Sequence, residues 1–225
     1  MKKTETKIDI SLFPEEIRHV FDGARIYDSS CSADMRVLYC DTGYYVKIAE
    51  REKLQKEAEM ARLFAEKKLG PRLISYVCHD KDYMVSESAV GDDALHYLDK
   101  PEALCEALCG AMKYLHFQSI IGVPRSMSMY AYDSNEGRNI LKCDTLIHGD
   151  FCLPNVIFDK GKFSAFIDLG GAGVGDRHID IFWLIWSLNY NLGTNKYADY
   201  VLDLYGRDKI DENALKFVAE VENAK

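Results

Sequence analysis

The first third of the chain alternates short apolar runs with turn residues. Runs of β-branched and aromatic residues predict strands at 23–27, 36–40, 44–49, 73–78 and 83–86. Asp41-Thr42-Gly43 has the composition of a hairpin turn. One helical pattern runs from Glu50 to Leu69 and ends at Gly70-Pro71. This part of the sequence therefore predicts a small sheet that carries one helix.

The rest of the chain follows mainly helical patterns, which predict helices at 101–117, 180–192, 196–205 and 211–223. One β insert interrupts them, with strands at 155–158 and 162–168. The helix from Asp180 to Leu192 is apolar nearly all round, which predicts deep burial. A polar stretch at 88–93 separates the two parts. We therefore expect an α+β fold with a β-rich N-terminal lobe at 1–88, a mainly helical C-terminal lobe at 89–225, and a ligand cleft between them.

Composition and charge narrow the possible functions. The seven cysteines form no C-x-x-C pair, so a zinc site is not expected, and free thiols indicate a reducing, cytoplasmic location. No apolar stretch approaches the ~20 residues that span a membrane, and because no apolar run follows Met1, a signal peptide is not expected. The net charge of -8 argues against general nucleic-acid binding and suits a cationic small-molecule substrate.

The strongest motif runs from His148 to Asn155 and has the form H-x-D-x-x-x-x-N. Thirteen residues after Asn155 comes Asp168, in a D-x-G sequence that ends at Gly170. This order and spacing match the phosphoryl-transfer pattern of kinases. Asn155 and Asp168 provide the hard oxygen ligands that Mg²⁺ prefers, and Asp150 can accept the proton of an attacking hydroxyl.

The residues around these three have expected supporting roles. We expect His148 to hold the loop through hydrogen bonds rather than to transfer protons. Gly170 would allow a tight exit after Asp168. Asp180, at the start of the apolar helix, is interpreted as a structural residue that caps N–H groups or braces the catalytic loop.

A second signal lies in the predicted sheet. Lys47 is the one cation in the apolar run Tyr44–Ile48, where a kinase needs a lysine to bind the α- and β-phosphates. A glutamate on the following helix must hold that lysine. At about 100° per residue, Glu57 falls beside the apolar stripe of the helix, whereas Glu52, Glu59 and Glu66 fall on the opposite side. Glu57 is therefore the predicted partner of Lys47.

The remaining nucleotide contacts are less sharply defined by the pattern. The loop 28–34, which includes Ser32, occupies the expected position of the phosphate-covering loop, but it has no glycine and also fits an ordinary polar turn. Ser86 and Ser88 bound a segment whose backbone groups could contact the purine. Tyr45 points to the same sheet face as Lys47 and could stack on the base or belong to the core.

These residues resemble those of the aminoglycoside 3'-phosphotransferases of the kanamycin kinase type. The likeness is strongest from Ile147 to Leu192, in the elements HGD-x-C-L-P-N-V-I-F, F-I-D-L-G and G-D-R-x-x-D-I. The resemblance implies a bilobal protein-kinase-like fold, Asp150 as catalytic base, Asn155 and Asp168 as magnesium ligands, and Lys47 and Glu57 as the phosphate-anchoring pair. It also implies ATP or GTP as phosphoryl donor and a cationic aminosugar as acceptor, with Glu222 as an acidic contact to that substrate.

The sequence departs from this family in three places. The span from His116 to His148 is much shorter, and the missing part would normally form helices of one substrate wall. Gly171 follows D-L-G where the family often has arginine, and the C-terminal acidic pair is Glu222-Asn223. All three changes concern the acceptor. The alternatives are a kinase of another small metabolite or of a protein hydroxyl, and a nucleotide-binding protein without turnover.

Overall fold

A six-stranded antiparallel sheet forms most of the first of two units, Met1–Ala89 and Val90–Lys225, into which the chain divides. The structure, a computed structural model, describes residues 3–224. The strand order is β1-β2-β3-β4-β6-β5. The strands are β1 (Thr4–Glu5), β2 (Ile26–Asp28), β3 (Met35–Cys40), β4 (Tyr44–Glu50), β5 (Leu73–Cys78) and β6 (Lys81–Glu87).

The two faces of this sheet bury different partners. One face packs against the segment around the short helix α1 (Glu15–Arg18), through a cluster that includes Phe13, Ile17 and Phe21. The other face carries Lys47 and packs against α2 (Gln55–Glu66) through Ala58 and Met84. Alternation along β4 therefore places Lys47 on the side of the sheet where α2 lies.

The second unit is mainly helical. Its helices are α3 (Pro101–His116), α4 (Asn135–Ile140), α5 (Arg177–Leu192), α6 (Ala198–Tyr205) and α7 (Glu212–Asn223). Its strands are β7 (Asp92–Asp93), β8 (Thr145–Ile147), β9 (Val156–Asp159), β10 (Lys162–Phe166) and β11 (Gly173–Gly175). They form a three-stranded sheet in the order β10-β9-β7 and a two-stranded sheet in the order β11-β8. None of the helices within residues 3–224 has the length and hydropathy needed to cross a membrane.

Several predicted elements differ from the observed ones. The helix expected from Glu50 begins at Gln55, because β4 continues through Glu50 and the turn that follows holds Glu52 at a φ of 68°. The apolar helix begins at Arg177, capped by the Asp176 side chain. Its predicted burial is wrong for one face, where Trp186 is 43% exposed and Tyr190 73% exposed.

Candidate active site

The loop from His148 to Asn155 lies between β8 and β9, and the buried carboxylate of Asp180 binds its backbone. Asp180 is fully buried, and its two oxygens accept hydrogen bonds from the backbone N–H groups of His148 and Gly149, both at 2.8 Å. The His116 Nε2 also donates to Asp180, at 3.0 Å. Burial raises the pKa of Tyr205 to about 12, so its hydroxyl stays protonated and donates to His116 Nδ1 at 2.8 Å. The predicted bracing role of Asp180 is present in this geometry.

Both ring nitrogens of His148 form hydrogen bonds with backbone groups. Its Nε2 donates to the carbonyl of Ile167 at 2.9 Å, and its Nδ1 accepts from the Asp150 N–H at 3.3 Å. The ring is fully buried. Because both nitrogens have backbone partners, His148 links the catalytic loop to the residue that precedes Asp168, as its expected structural role requires.

The left-handed backbone after the β hairpin falls on Asp168 rather than on glycine. Asp168 has φ and ψ of 59° and begins the 3-10 turn Leu169–Gly171, whereas Gly170 is absent from the positive-φ residues. The left-handed conformation therefore lies at Asp168, and the tight exit expected at Gly170 stays a prediction. Aspartate tolerates this region better than most side chains do, because it can bond locally.

Close backbone approach requires glycine at two other positions. A Cβ on Gly149 would lie 2.3 Å from the Gly171 carbonyl oxygen, and one on Gly171 would lie 2.6 Å from Ser128 Oγ. Ser128 Oγ donates to the Gly149 carbonyl at 2.9 Å, and Ser126 Oγ donates to the Gly171 carbonyl at 2.6 Å. Gly171, noted above as a departure from the family, thus fits a tight contact with the segment that contains these serines.

The three residues selected by the motif lie around the open end of the β9–β10 hairpin. Phe166 pairs with Val156, and the Ile167 N–H donates to the Asn155 carbonyl at 3.0 Å, so Asn155 and Asp168 flank the same end of the ladder. Asn155 Nδ2 donates to both the carbonyl oxygen and the Oδ2 of Asp150, each at 3.0 Å. The hairpin therefore brings together the residues that sequence spacing had selected.

The orientation of Asn155 suits a hard metal ion. Its amide nitrogen is occupied by Asp150, which directs the amide Oδ1 away from that residue. An amide oxygen and the Asp168 carboxylate match the small number of protein oxygens that Mg²⁺ takes beside a triphosphate. Within residues 3–224, no group of three or more His, Cys, Asp or Glu side chains that could hold a metal ion is found.

The first unit contains the ion pair expected from helical geometry. Lys47 Nζ lies 2.5 Å from Glu57 Oε1, and their side chains are only 15% and 8% exposed. Glu52, Glu59 and Glu66 are exposed. Glu57 reaches Lys47 because α2 packs on the face of the sheet to which Lys47 points.

The other predicted nucleotide contacts lie in the same unit. Tyr45 is half-buried and packs on Tyr39, with ring centroids 4.9 Å apart. Ser86 pairs with Tyr45 across β6 and β4. The Ser88 N–H donates to the Gly43 carbonyl at 2.8 Å, so that donor is occupied within the unit. Ser32 is exposed in the loop between β2 and β3.

Glu222, the proposed acidic substrate contact, lies half-buried on α7 and accepts a hydrogen bond from the Tyr132 hydroxyl. Burial raises the pKa of Tyr132, and the hydrogen bond to Glu222 raises it further, so the phenol remains the donor. Sequence reasoning missed Tyr132, along with Ser126 and Ser128. All three lie in the segment between α3 and β8, whose short elements lack a readable period.

Comparison with known proteins identifies the family. Residues 140–218 match the model of a phosphotransferase enzyme family, APH. The chain is also 40% identical, over 250 aligned positions, to a probable aminoglycoside 3'-phosphotransferase of Lactococcus lactis subsp. lactis, and the match covers 95% of each protein. The chain belongs to the aminoglycoside phosphotransferase family. It is a phosphotransferase, as the motif had predicted.

Solved structures of aminoglycoside phosphotransferases share this fold. One from Streptomyces rimosus superposes with a TM-score of 0.73 at 17% identity, covering 96% of this chain and 98% of that one. Another, a thermostable mutant solved with AMP-PNP and hygromycin B, has a TM-score of 0.67 at 14% identity and covers 88% and 84%. The predicted α+β, protein-kinase-like fold is confirmed.

The Lactococcus relative also bears on chain length. An alignment of 250 positions against a chain of 225 residues contains at least 25 positions with a residue of the relative and none of this phosphotransferase. This phosphotransferase is therefore shorter within the aligned span, in the direction expected from its brief segment between His116 and His148.

Proposed function

We propose that this chain transfers the γ-phosphoryl group of ATP to a hydroxyl group of an aminoglycoside or a related small amino-alcohol. The proposal rests mainly on the hydrogen bond between Asp150 and Asn155. The loop that contains both residues is bound by the buried carboxylate of Asp180, and the chain belongs to this family. ATP is the expected donor, and GTP is the alternative nucleotide. The chain's seven free cysteines support a cytoplasmic location.

Asp150 acts on the acceptor hydroxyl. Its Oδ2 accepts from Asn155 Nδ2, which fixes the carboxylate and leaves Oδ1 to accept the hydroxyl proton. Asp150 is exposed, so an acceptor can approach it. His148 cannot take this role without losing a backbone hydrogen bond, because both of its ring nitrogens are engaged. Positioned general-base assistance typically contributes ~10²–10⁴-fold.

Asn155 Oδ1 and the Asp168 carboxylate would hold Mg²⁺. When bound, the ion neutralises negative charge on the triphosphate. The chain's own contribution is to fix these two oxygens at one end of a hairpin, through the β9–β10 ladder and the bond between Ile167 and Asn155.

The first unit would bind the nucleotide. Lys47, held by Glu57, contacts the α- and β-phosphates, and Ser32 with its loop covers the phosphates. Tyr45 stacks on the base. The segment from Ser86 to Ser88 contributes mainly carbonyl oxygens, because the N–H groups of Glu87 and Ser88 donate to Arg72 and Gly43.

The acceptor is expected to be cationic. The chain carries a net charge of -8, and Glu222 offers a carboxylate on α7. A substrate with several ammonium groups would be attracted by both features.

An ADP-release assay with ATP, Mg²⁺ and a panel of aminoglycosides that includes kanamycin A and neomycin B tests the proposal. We expect release that depends on both the aminoglycoside and Asp150, with a product that has gained one phosphoryl group by mass spectrometry. Binding of ATP without transfer to any acceptor would contradict it. Transfer only to an unrelated metabolite or to a protein would contradict the proposed acceptor class and retain the kinase.

A further inference from the structure

The outer face of α5 carries a row of aromatic side chains that the predicted burial of this helix does not explain. This aromatic ridge consists of Phe182, Trp183, Trp186 and Tyr190. The Trp186 and Tyr190 rings stack with centroids 5.3 Å apart and planes inclined by 7°, and Trp183 meets Trp186 edge-on at 5.5 Å. Trp186 and Tyr190 are 43% and 73% exposed. Contiguous exposed aromatic surface is uncommon and often marks a binding site.

One end of the ridge packs against buried residues, and the other end is exposed to solvent. Phe182 and Trp183 pack against the cluster that contains Met129 and Val218, which fixes the inner part of the ridge. Trp186 and Tyr190, one and two turns further along α5, continue the row beyond that cluster. The exposed rings are therefore held by packed neighbours and present fixed faces.

The helix that carries the ridge also contacts the catalytic loop. Ser187, adjacent to Trp186 in sequence, accepts a hydrogen bond from the Leu153 N–H at 3.0 Å. The Cys152 thiol is influenced by both Asp150 and Ser187: burial raises its pKa first, and the Asp150 charge raises it further. The flank of α5 next to the ridge thus contacts the same loop that carries Asp150.

Two carboxylates of the proposed acceptor site lie in the same unit as the ridge. Asp150 belongs to the loop whose Leu153 N–H donates to Ser187 of α5. Glu222 follows Val221, which packs against the cluster that Phe182 and Trp183 join. Aromatic faces stack on the C–H faces of sugar rings, and ammonium groups are attracted to the faces of tryptophan and tyrosine. Exposed aromatic faces on a helix that contacts the loop of Asp150, in a chain with a net charge of -8, suit a saccharide that carries ammonium groups.

We infer that Trp186 and Tyr190 form a stacking subsite for an ammonium-bearing sugar ring of the acceptor. The inference rests on the proposed function, because it assigns the subsite to the substrate of Asp150. It makes the two residues determinants of acceptor binding and leaves the phosphoryl-transfer groups unchanged.

Intrinsic fluorescence tests the subsite directly, because the chain's two tryptophans, Trp183 and Trp186, both belong to the ridge. Titration with kanamycin A should change the emission saturably, and maltotriose, a neutral saccharide, should bind much more weakly. Trp186→Ala should weaken kanamycin binding by roughly 3- to 30-fold, with Trp183 as the remaining reporter. Tyr190→Ala should weaken it in the same direction, and Trp186→Phe should restore part of the loss.

The matched control is Phe117→Ala, which removes an aromatic ring that is 83% exposed at the end of α3. It should leave kanamycin binding unchanged. In the ADP-release assay, Trp186→Ala should raise the KM for kanamycin by a similar factor while kcat and the KM for ATP stay within about twofold of the unmodified chain.

Three results would overturn the inference: equal kanamycin affinity in the unmodified chain and Trp186→Ala, equal affinity for maltotriose and kanamycin, or self-association that Trp186→Ala abolishes, which would assign the ridge to a second copy. Failure of the proposed function is separate. In that case kanamycin would still bind with the Trp186 dependence given above, but no phosphoryl transfer would follow.

Discussion

The catalytic loop and the outer face of α5 belong to the same unit but are positioned in different ways. Backbone groups of the loop are bound by buried side chains, above all Asp180, and Gly149 allows a close backbone contact that a Cβ would prevent. The outer face of α5 ends in Trp186 and Tyr190, whose rings stack on each other and are exposed to solvent, with Trp183 packed against the edge of Trp186. Buried contacts thus hold the catalytic loop in place, whereas the exposed residues assigned to acceptor binding can be substituted with little loss of stability.

The largest effect should come from Asp150→Ala. Loss of the proton acceptor should lower kcat by about 10²–10⁴-fold, while nucleotide affinity and the fluorescence response to kanamycin change little. Steady-state kinetics, together with a nucleotide-binding titration, measure both quantities. Asp208→Ala, which removes an exposed carboxylate from the same unit, is the control. If Asp150→Ala kept a near-normal kcat, the catalytic role assigned to the loop 148–155 would be wrong.

Asp180→Ala tests the buried side of the comparison. It should destabilise the helical unit by about 3–5 kcal/mol, because two backbone N–H groups and the His116 Nε2 lose their acceptor inside the protein. Urea unfolding followed by tryptophan fluorescence reports on this unit, since both tryptophans lie in α5.

Tyr190→Ala is the matched variant on the exposed face of the same helix. It should change stability by less than about 1 kcal/mol. If Tyr190→Ala and Asp180→Ala lowered the free energy of unfolding equally, the outer face of α5 would contribute as much to stability as the carboxylate that binds the loop.

Local pattern predicted the chemical region well, for physical reasons. Glu57 follows from helical periodicity, because a side chain beside the apolar stripe must reach the sheet. Asn155 and Asp168 follow from the length of a hairpin, which fixes their separation. Asp180 lies in the first turn of α5, where one of the two predicted roles was to brace the catalytic loop, and it binds N–H groups of that loop while Asp176 caps the helix.

The surface region could not be predicted in the same way. Periodicity shows that α5 is apolar but not which elements cover it, and the short chain between α3 and β8 covers only the inner part of the ridge. The bond between Tyr132 and Glu222 joins residues 90 positions apart, so no local pattern indicates it. The left-handed backbone at Asp168 could not be predicted either, because glycine is the residue that adopts this conformation most easily.

Lys47→Met should produce a smaller, nucleotide-specific effect. Removing the cation while keeping the length of the side chain should lower kcat/KM for ATP by roughly 10- to 100-fold, because a charged hydrogen bond contributes about 1.5–3 kcal/mol. Kanamycin binding to the α5 ridge should not change. Lys7→Met, at an exposed position of the same unit, is the control. A comparable loss of kanamycin affinity in Lys47→Met would indicate that the nucleotide and acceptor surfaces are not independent.

The smallest effect concerns Asp176, which ties together three parts of the helical unit. Its Oδ1 accepts from the His178 N–H and lies 2.6 Å from His178 Nδ1, and its Oδ2 accepts from the Lys142 N–H at 2.6 Å. His178 Nε2 in turn accepts from the Asp211 N–H at 2.9 Å, where α7 begins. Burial by itself would raise the pKa of Asp176, but the hydrogen bonds from His178 and Lys142 hold it below its ordinary value.

A carboxyl group whose pKa is lower in the folded state contributes stability above its unfolded pKa of ~3.9, and that contribution is lost as the pH falls through the folded value. Asp176→Asn should therefore cost about 1–2 kcal/mol at pH 7, and the difference from the unmodified chain should shrink below about pH 4. Urea unfolding at a series of pH values measures it, with Asp208→Asn, at an exposed position of the same unit, as the control. If Asp176→Asn lowered the free energy of unfolding as much at pH 3 as at pH 7, Asp176 would act through its packing rather than its charge. The contribution of charged hydrogen bonds to the buried side of the comparison would then be smaller than the geometry indicates.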